Sequence, residues 1–302
     1  MPQTPTPTAV ADAHTRIIGW FDAHARDLPW RRDECTPWGV MVSEFMLQQT
    51  PVARVLPVWT EWMRRWPTPA DLAAEPSSEI LRAWGRLGYP RRALRLHAAA
   101  QTIVAEHDGE VPNTAAELKA LPGVGEYTSA AIACFAFEQP EVVVDTNIRR
   151  VHARAFSGRA LPEKSLTRAE MSLATELMPA DPEQACQWNA ATMELGALVC
   201  TARSPQCRLC PVSAACAWLA AGSPEAHYQP KGQSWAGTDR QLRGAIMALL
   251  RSHDGGTALT AIRQRVEESL SPDDAQFDRC VSSLVADGLA ERTGDELSLP
   301  HS

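Results

Sequence analysis

Four cysteines, Cys200, Cys207, Cys210 and Cys216, fall within 17 residues in the spacing C-x6-C-x2-C-x5-C. Four thiolates so close along a chain can enclose one metal centre, either a tetrahedral zinc or an iron–sulfur cube. Zinc knuckles more often pair two CxxC units. Single cysteines flanking one central CxxC, with Pro205 and Pro211 shaping the loops, lean the reading toward iron–sulfur. Cys35, Cys134, Cys186 and Cys280 are scattered and read as small buried hydrophobes.

Two carboxyls come next. Glu44 is the one acid in the apolar run WGVMVSEFMLQQ (38–49). Such an acid either points to solvent or serves as a proton donor at the mouth of a pocket. Asp145 follows three valines and opens the basic stretch TNIRRVHAR, so it reads as a helix N-cap or as a carboxylate beside a helix N-terminus. Two carboxyls in different settings suit hydrolysis of a glycosidic bond: one protonates the leaving group, the other stabilises or traps the oxocarbenium-like centre. Between them lies LKALPGVGEYTSAAI (118–132). Gly123 and Gly125 between two apolar helices let backbone N–H groups approach a phosphate at a helix N-terminus. This helix-hairpin-helix pattern grips DNA backbone without reading sequence.

The net charge of −7 argues mildly against nucleic acid, yet the charge is uneven. Residues 82–97 hold five arginines and no acid, and residues 146–162 hold four and no acid. Local basic surface is what meets a phosphate backbone, although either run also reads as a solvated face.

The elements that must position these groups are mostly helices. From Thr15 to about Ala220, apolar residues recur at three- and four-residue spacing, punctuated by Pro and Gly. The one β-like run, EVVVD (141–145), is too short to build a sheet. Residues 1–14 are Pro/Thr-rich without an apolar core and read as a disordered tail, not a signal peptide. With no membrane-length apolar run, the expectation is a soluble, cytoplasmic, nucleoid-associated protein. Residues 221–238 read as a linker. Beyond it, residues 239–302 show three helical segments, the third capped by Ser271 and Pro272, with Phe277, Val281, Leu284 and Val285 on one face. Two short strands around Thr-Gly-Asp follow, which suggests a winged helix.

Together these motifs resemble the MutY-type adenine DNA glycosylases of the helix-hairpin-helix superfamily. The resemblance runs from about Leu28 to Trp218. It rests on LPWR (28–31), SEFMLQQT (43–50), LGY (87–89), LPGVGEYT (121–128), VDTN (144–147), ELGALVC (194–200) and the cysteine spacing. It implies a mainly α, two-lobed fold: a six-helix barrel (31–140) with the hairpin, and an iron–sulfur lobe from 15–30 and 141–220. It also implies base flipping of adenine opposite 8-oxoguanine or guanine in duplex DNA by a monomer. By position, Glu44 would protonate adenine N7 and Asp145 would stabilise the oxocarbenium ion, aided by Tyr127 and Asn147. Trp30 and Arg31 would line the adenine pocket. Gln49, Thr50 and Tyr89 would contact the opposing base. One 4Fe–4S cluster would place Arg203 and Arg208 near DNA.

Three departures stand out. Pro90 opens the basic run after LGY, and Ala190 follows Asn189 where Gln or Glu is usual. The winged-helix-like segment, whose third helix is acidic, occupies the place of the usual Nudix-like module. A thymine-mismatch or oxidised-pyrimidine glycosylase is opposed by Glu44, and a lyase by Tyr127, which stands where a lyase has its Schiff-base lysine. A non-catalytic iron–sulfur regulator is opposed by the pairing of Glu44 with Asp145.

Overall fold

The structure is a computed structural model and describes residues 6–229, 232 and 235–301. Fifteen α-helices and three short β-strands form among the described residues. The chain divides into two compact units, one from residues 1–40, 113–119 and 124–230, the other from 41–112, 120–123 and 231–302. The hairpin's second helix, Glu126–Phe137, thus belongs with the cysteine-bearing unit, where the sequence reading put it in the barrel.

In the first unit, three helices share a core: Pro7–His24, Thr146–Ala155 and Pro182–Leu198. Ala13, Ile17, Val151, Trp188, Leu195 and Val199 meet there. The disordered tail expected over 1–14 is therefore corrected from residue 6 onward. Thr6 Oγ1 accepts the Ala9 N–H (3.3 Å), Pro7 takes the first helical position, and Ala13 is buried against the core. A Thr-Pro pair is a helix start as much as a mark of disorder. Residues 1–5 of that stretch lie outside the described residues. Residues 138–145 form no strand, and Val143 is buried against Ala131, Cys134 and Ile148.

In the second unit, Val52–Arg65, Ser77–Trp84 and Arg91–Glu106 bring together a tryptophan core. Trp62 meets Trp66 and Trp84 edge-on at 4.9 and 5.5 Å. Such pairs add about 0.5–1.5 kcal/mol beyond their buried area. The described part of the 221–238 linker carries no helix or strand up to Thr238. Residues 230, 231, 233 and 234 of that linker lie outside the described residues.

The C-terminal segment has winged-helix order: helix Asp239–Arg251, strand Thr257–Ala258, helices Leu259–Glu267 and Asp274–Ala286, then strands Glu291–Thr293 and Glu296–Ser298. The last strand lies in the middle, antiparallel to both others, with Leu297 opposite Thr257 and Arg292. The third helix starts two residues later than expected. Asp273, not Ser271, is the cap and accepts the Gln276 N–H (2.7 Å); a residue that precedes proline is disfavoured in helical backbone, which works against a start at Ser271. Its buried face is Phe277, Cys280, Val281 and Leu284; Val285 turns outward. Helix Asp239–Arg251 packs on Ser77–Trp84 of the same unit, and Arg82 donates to the His253 carbonyl (3.0 Å).

Candidate active site and cysteine cavity

Glu44 sits in helix Pro37–Leu47 and is only 7% exposed, between buried Val42, Ser43, Phe45 and Met46. The solvent-facing reading of this acid is excluded. Arg92, which the sequence did not single out, closes the same helix. Its Nη1 donates to the carbonyls of Phe45 (2.9 Å), Met46 (3.1 Å) and Gln48. A cation there meets the negative end of the helix dipole and satisfies orphan carbonyls. Burial lowers the Arg92 pKa to about 10.

The expected opposing-base contacts divide. Thr50 is buried, accepts from Arg92 Nη2 (3.0 Å) and donates to the Leu87 carbonyl (3.3 Å). Gln49 and Tyr89 are exposed and hold left-handed backbone, φ 56° and 48°. Non-glycine residues adopt that region at some strain, and such strain gathers at functional sites.

The hairpin forms as the two glycines require. Gly123 has φ 80°, and a Cβ there would lie 2.7 Å from Arg95 Cβ. Gly125 caps Glu126–Phe137 in extended backbone, and a Cβ there would meet open space. One glycine is demanded by packing; the other leaves a bare helix N-terminus.

Asp145 caps Thr146–Ala155. The Ile148 N–H donates to its Oδ1 (2.6 Å) and Asn147 Nδ2 to its Oδ2 (2.8 Å). Burial pushes the Asp145 carboxyl above its ordinary pKa, opposed by the hydrogen bonds from Ile148 and Asn147 and by the charge of Arg150. Asn147 is held in turn: Arg150 Nη2 donates to its Oδ1 (2.7 Å) and to the Gly196 carbonyl (2.6 Å), and Arg150 Nε donates to the Cys200 carbonyl (2.6 Å). Gly196 is required here, since a Cβ would fall 2.7 Å from Asn147 Cβ. Tyr127 is partly buried against the cluster containing Ile148 and Val143.

Cys200, Cys207, Cys210 and Cys216 line one cavity, together with Val151, Leu195, Val199 and Trp218. Burial, with Cys200, Cys216 and Cys207 around it, pushes the Cys210 thiol up to about 11. Arg154 Nη1 lies 3.4 Å from Cys200 Sγ and donates to the Thr201 carbonyl (2.7 Å). Arg203 and Arg208 are exposed on the same loop. Among the described residues, no three His, Cys, Asp or Glu side chains converge closely enough for a single metal ion. The scattered cysteines Cys134, Cys186 and Cys280 are buried, as expected, and Cys35 is half-buried.

Trp30 is buried in the short helix Pro29–Arg31. Arg31 Nη2 donates to Glu194 Oε2 (2.9 Å), and Arg26 pairs with both oxygens of the same carboxylate. Burial of Glu194 alone would raise its pKa, but the bonds from Arg26 and Arg31 outweigh it and hold the group at about 2. Glu194, Arg92 and Arg150 were not singled out from sequence. For Glu194 the available signal was an acid within an apolar helical run; Arg92 and Arg150 lay in the two basic runs, where nothing marked them as the inward-facing members.

Comparison with known proteins bears on this arrangement. Residues 42–176 match the family described as HhH-GPD superfamily base excision DNA repair protein. The chain is 46% identical over 295 residues to an adenine DNA glycosylase of Mycobacterium tuberculosis, covering 96% of this chain and 95% of the relative. It is 48% identical over 279 residues to an adenine DNA glycosylase of Mycolicibacterium smegmatis, covering 92% of each. Among solved structures, it resembles a thermostable thymine-DNA glycosylase at TM-score 0.63 and 27% identity, covering 71% of this chain and 98% of the other. An endonuclease III in a trapped covalent DNA complex, at TM-score 0.62 and 23% identity, covers 73% of this chain and 100% of that one and shares the fold.

Proposed function

We infer the chemistry of this chain from its membership of a family: it belongs to the MutY-type adenine DNA glycosylases of the helix-hairpin-helix superfamily, and it removes adenine from DNA. We propose that the substrate is adenine mispaired with 8-oxoguanine or guanine, rotated out of the stack before reaction. Glu44 gives its proton to adenine N7. The C1′–N9 bond then breaks, its electron pair passing to the purine and leaving an oxocarbenium ion. The Asp145 carboxylate stabilises that cation or bonds transiently to C1′, and water adds at C1′, its released proton restoring the Glu44 carboxyl, to leave an abasic sugar, free adenine and a free Asp145 carboxylate. Asn147 fixes the second carboxylate, and Tyr127 supports it. Tyr127 also carries no amine for a Schiff base, so the strand stays intact.

Gly125, with Gly123 shaping its turn, receives a phosphate at the hairpin, and Arg203 and Arg208 add charge to the backbone contact. Trp30 and Arg31 form the wall of the adenine pocket, with Arg31 steadied by Glu194. Gln49 and Tyr89 meet the opposing base, and Thr50 acts from behind them through its buried bonds. The enzyme works as a monomer in the cytoplasm, on the nucleoid.

Cys200, Cys207, Cys210 and Cys216 would hold a 4Fe–4S cluster. The fit rests on the shared cavity, whose other lining is apolar apart from Arg154 and Ser213, and on the Arg154 N–H directed at Cys200 Sγ. Such a cluster supplies four metal–sulfur bonds that clamp a loop with little core of its own. Iron and sulfide in native protein support this; zinc without iron counts against it.

The observation that carries the mechanism is the burial of Glu44 in an apolar helix. Glu44→Gln should keep duplex affinity and lose at least about 100-fold in single-turnover excision, the usual contribution of a general acid. The assay offers adenine opposite 8-oxoguanine, adenine opposite guanine, thymine opposite guanine, and an oxidised thymine. Near-normal excision by the variant removes Glu44 from its role. Preferred release of thymine by the wild type overturns the substrate assignment.

A further inference from the structure

The second unit contains a cleft of about 1110 Å³. Its walls come from residues 48–54, from residues 85–95, and from the C-terminal segment, chiefly helix Asp239–Arg251. The volume exceeds the roughly 300–1,000 Å³ of most small-molecule pockets, which favours a length of polymer as occupant.

The charge on these walls is one-sided. Among the described lining residues stand eight arginines and one carboxylate, Asp287. Asp287 is already engaged, paired with Arg91 at 3.1 Å and Arg243 at 2.6 Å. Asp273, Asp274 and Asp278 of the acidic third helix do not line the cleft. Arg251 is half-buried beside exposed Arg86, and its hold on its proton is weakened by burial first and by that neighbour second. Arg54 donates to the Arg86 backbone carbonyl, which keeps a third guanidinium close. A wall of like charges in a partly enclosed space raises the local potential and favours an anion. Arginine forks match phosphate oxygens in pairs.

Two exposed aromatics stand among these arginines. Tyr89 is 46% and Trp235 51% exposed, and both line the cleft. Arg240 lies over the Trp235 ring at 4.9 Å, and its Nη1 is 3.5 Å from the Tyr89 hydroxyl. Cations interleaved with exposed rings make a surface for a nucleic-acid backbone and its bases.

We propose that this cleft binds the phosphate backbone of the DNA strand presented to Gln49 and Tyr89, with Arg240 and Arg251 of the winged-helix segment and Arg86 of the loop as its phosphate ligands. This rests on the glycosylase reading and extends it: the C-terminal segment becomes part of the DNA-binding surface through its first helix, although its third helix is acidic.

The test uses the full chain and two charge reversals at exposed positions, Arg86→Glu and Arg240→Glu, with Arg251→Ala as a third variant. Each is titrated by fluorescence anisotropy against a duplex carrying a non-hydrolysable adenine analogue opposite guanine, over a range of salt. Loss of one phosphate contact should lower the slope of log K against log salt by about 0.9, and affinity should fall several-fold for mismatched and matched duplex alike. Excision at saturating DNA should fall by less than affinity does. Neutral methylphosphonates should weaken wild-type binding when placed in the strand opposite the adenine, and leave the Arg240→Glu protein little affected. Unchanged slope and affinity in all three folded variants overturn the proposal. So does tighter, arginine-dependent binding of free nucleoside triphosphate than of duplex. The two readings fail separately: a wild type that excises no adenine but shows the arginine-dependent slope loses the glycosylase assignment and keeps the cleft.

Discussion

In helix Thr146–Ala155, Arg149, Arg150 and Arg154 are occupied within the fold. Arg149 meets Glu170 and the Glu163 carbonyl, both at 2.8 Å, while Arg150 and Arg154 reach the carbonyls of Gly196, Cys200 and Thr201. In residues 82–97 the sequence looks as basic, yet only Arg92 is buried in the same way. Arg86, Arg91 and Arg95 line a cleft whose one acid among the described residues is already paired. The first array is satisfied by its own chain and fixes geometry. The second carries more positive charge than its surroundings neutralise and is suited to an outside anion. A basic run in sequence thus has two opposite outcomes, decided by whether carbonyls or water surround the guanidinium groups.

The comparison breaks most easily at Arg150. Arg150→Ala strips the donors from the buried Gly196 carbonyl, at about 1–3 kcal/mol, and from the partly buried Cys200 carbonyl at less. The expected result is a melting temperature lower by roughly 5–15 °C, with iron lost on purification and slower excision. Arg150→Lys should recover only part of this, since a point charge cannot replace a fork. A stable, fully active Arg150→Ala protein would sink the idea that these inward arginines set the geometry.

A smaller effect is expected at Gly196, where packing and not charge is changed. Gly196→Ala places a methyl against Asn147, and overpacking of this kind costs about 1–3 kcal/mol. Because Asn147 holds Asp145, the excision rate should fall more than duplex affinity does. Equal losses in both would argue that the change is only structural.

The smallest effect on stability belongs to the cleft. Arg251→Met removes a half-buried charge that faces Arg86, so the free energy of unfolding should change by no more than about 0.5 kcal/mol, in either direction. Duplex affinity should drop all the same. A loss of stability like that of Arg150→Ala would place Arg251 in the same class as the inward array and erase the contrast.

Much of this site was legible because its signals are local. The cysteine spacing, the acid inside an apolar helix, the Pro-Gly-Val-Gly turn and the Asp145 cap all lie within a few residues of chain. The order of helices and strands in the C-terminal segment was legible for the same reason, although Thr293 ends the strand and the turn itself is Gly294 and Asp295. What escaped depends on distant partners. Glu194 bonds Arg26 across 168 residues, and Arg92 bonds the end of a helix 44 to 47 residues earlier. No pattern along the chain announces such pairs. The left-handed backbone at Gln49 and Tyr89 was also hidden, because neither residue type signals it. The first helix was misread through composition: Pro and Thr suggested disorder, while Thr6 and Pro7 were a cap and a first turn.

That first helix has a consequence for synthesis. Its apolar face rests on Pro182–Leu198, and the loop beyond its C-terminus is tied to Glu194 through Arg26, 168 residues later. A ribosome adding about 5–20 residues per second needs on the order of 10–30 s to deliver that partner. For most of this interval Ile17 and its neighbours lack the surface of Pro182–Leu198 that covers them, while the helices of the second unit emerge and can collapse. During that interval the nascent chain therefore carries an exposed apolar stripe, a natural point of engagement for chaperones. The cysteine loop, emerging immediately afterward, completes the unit only once both ends have met.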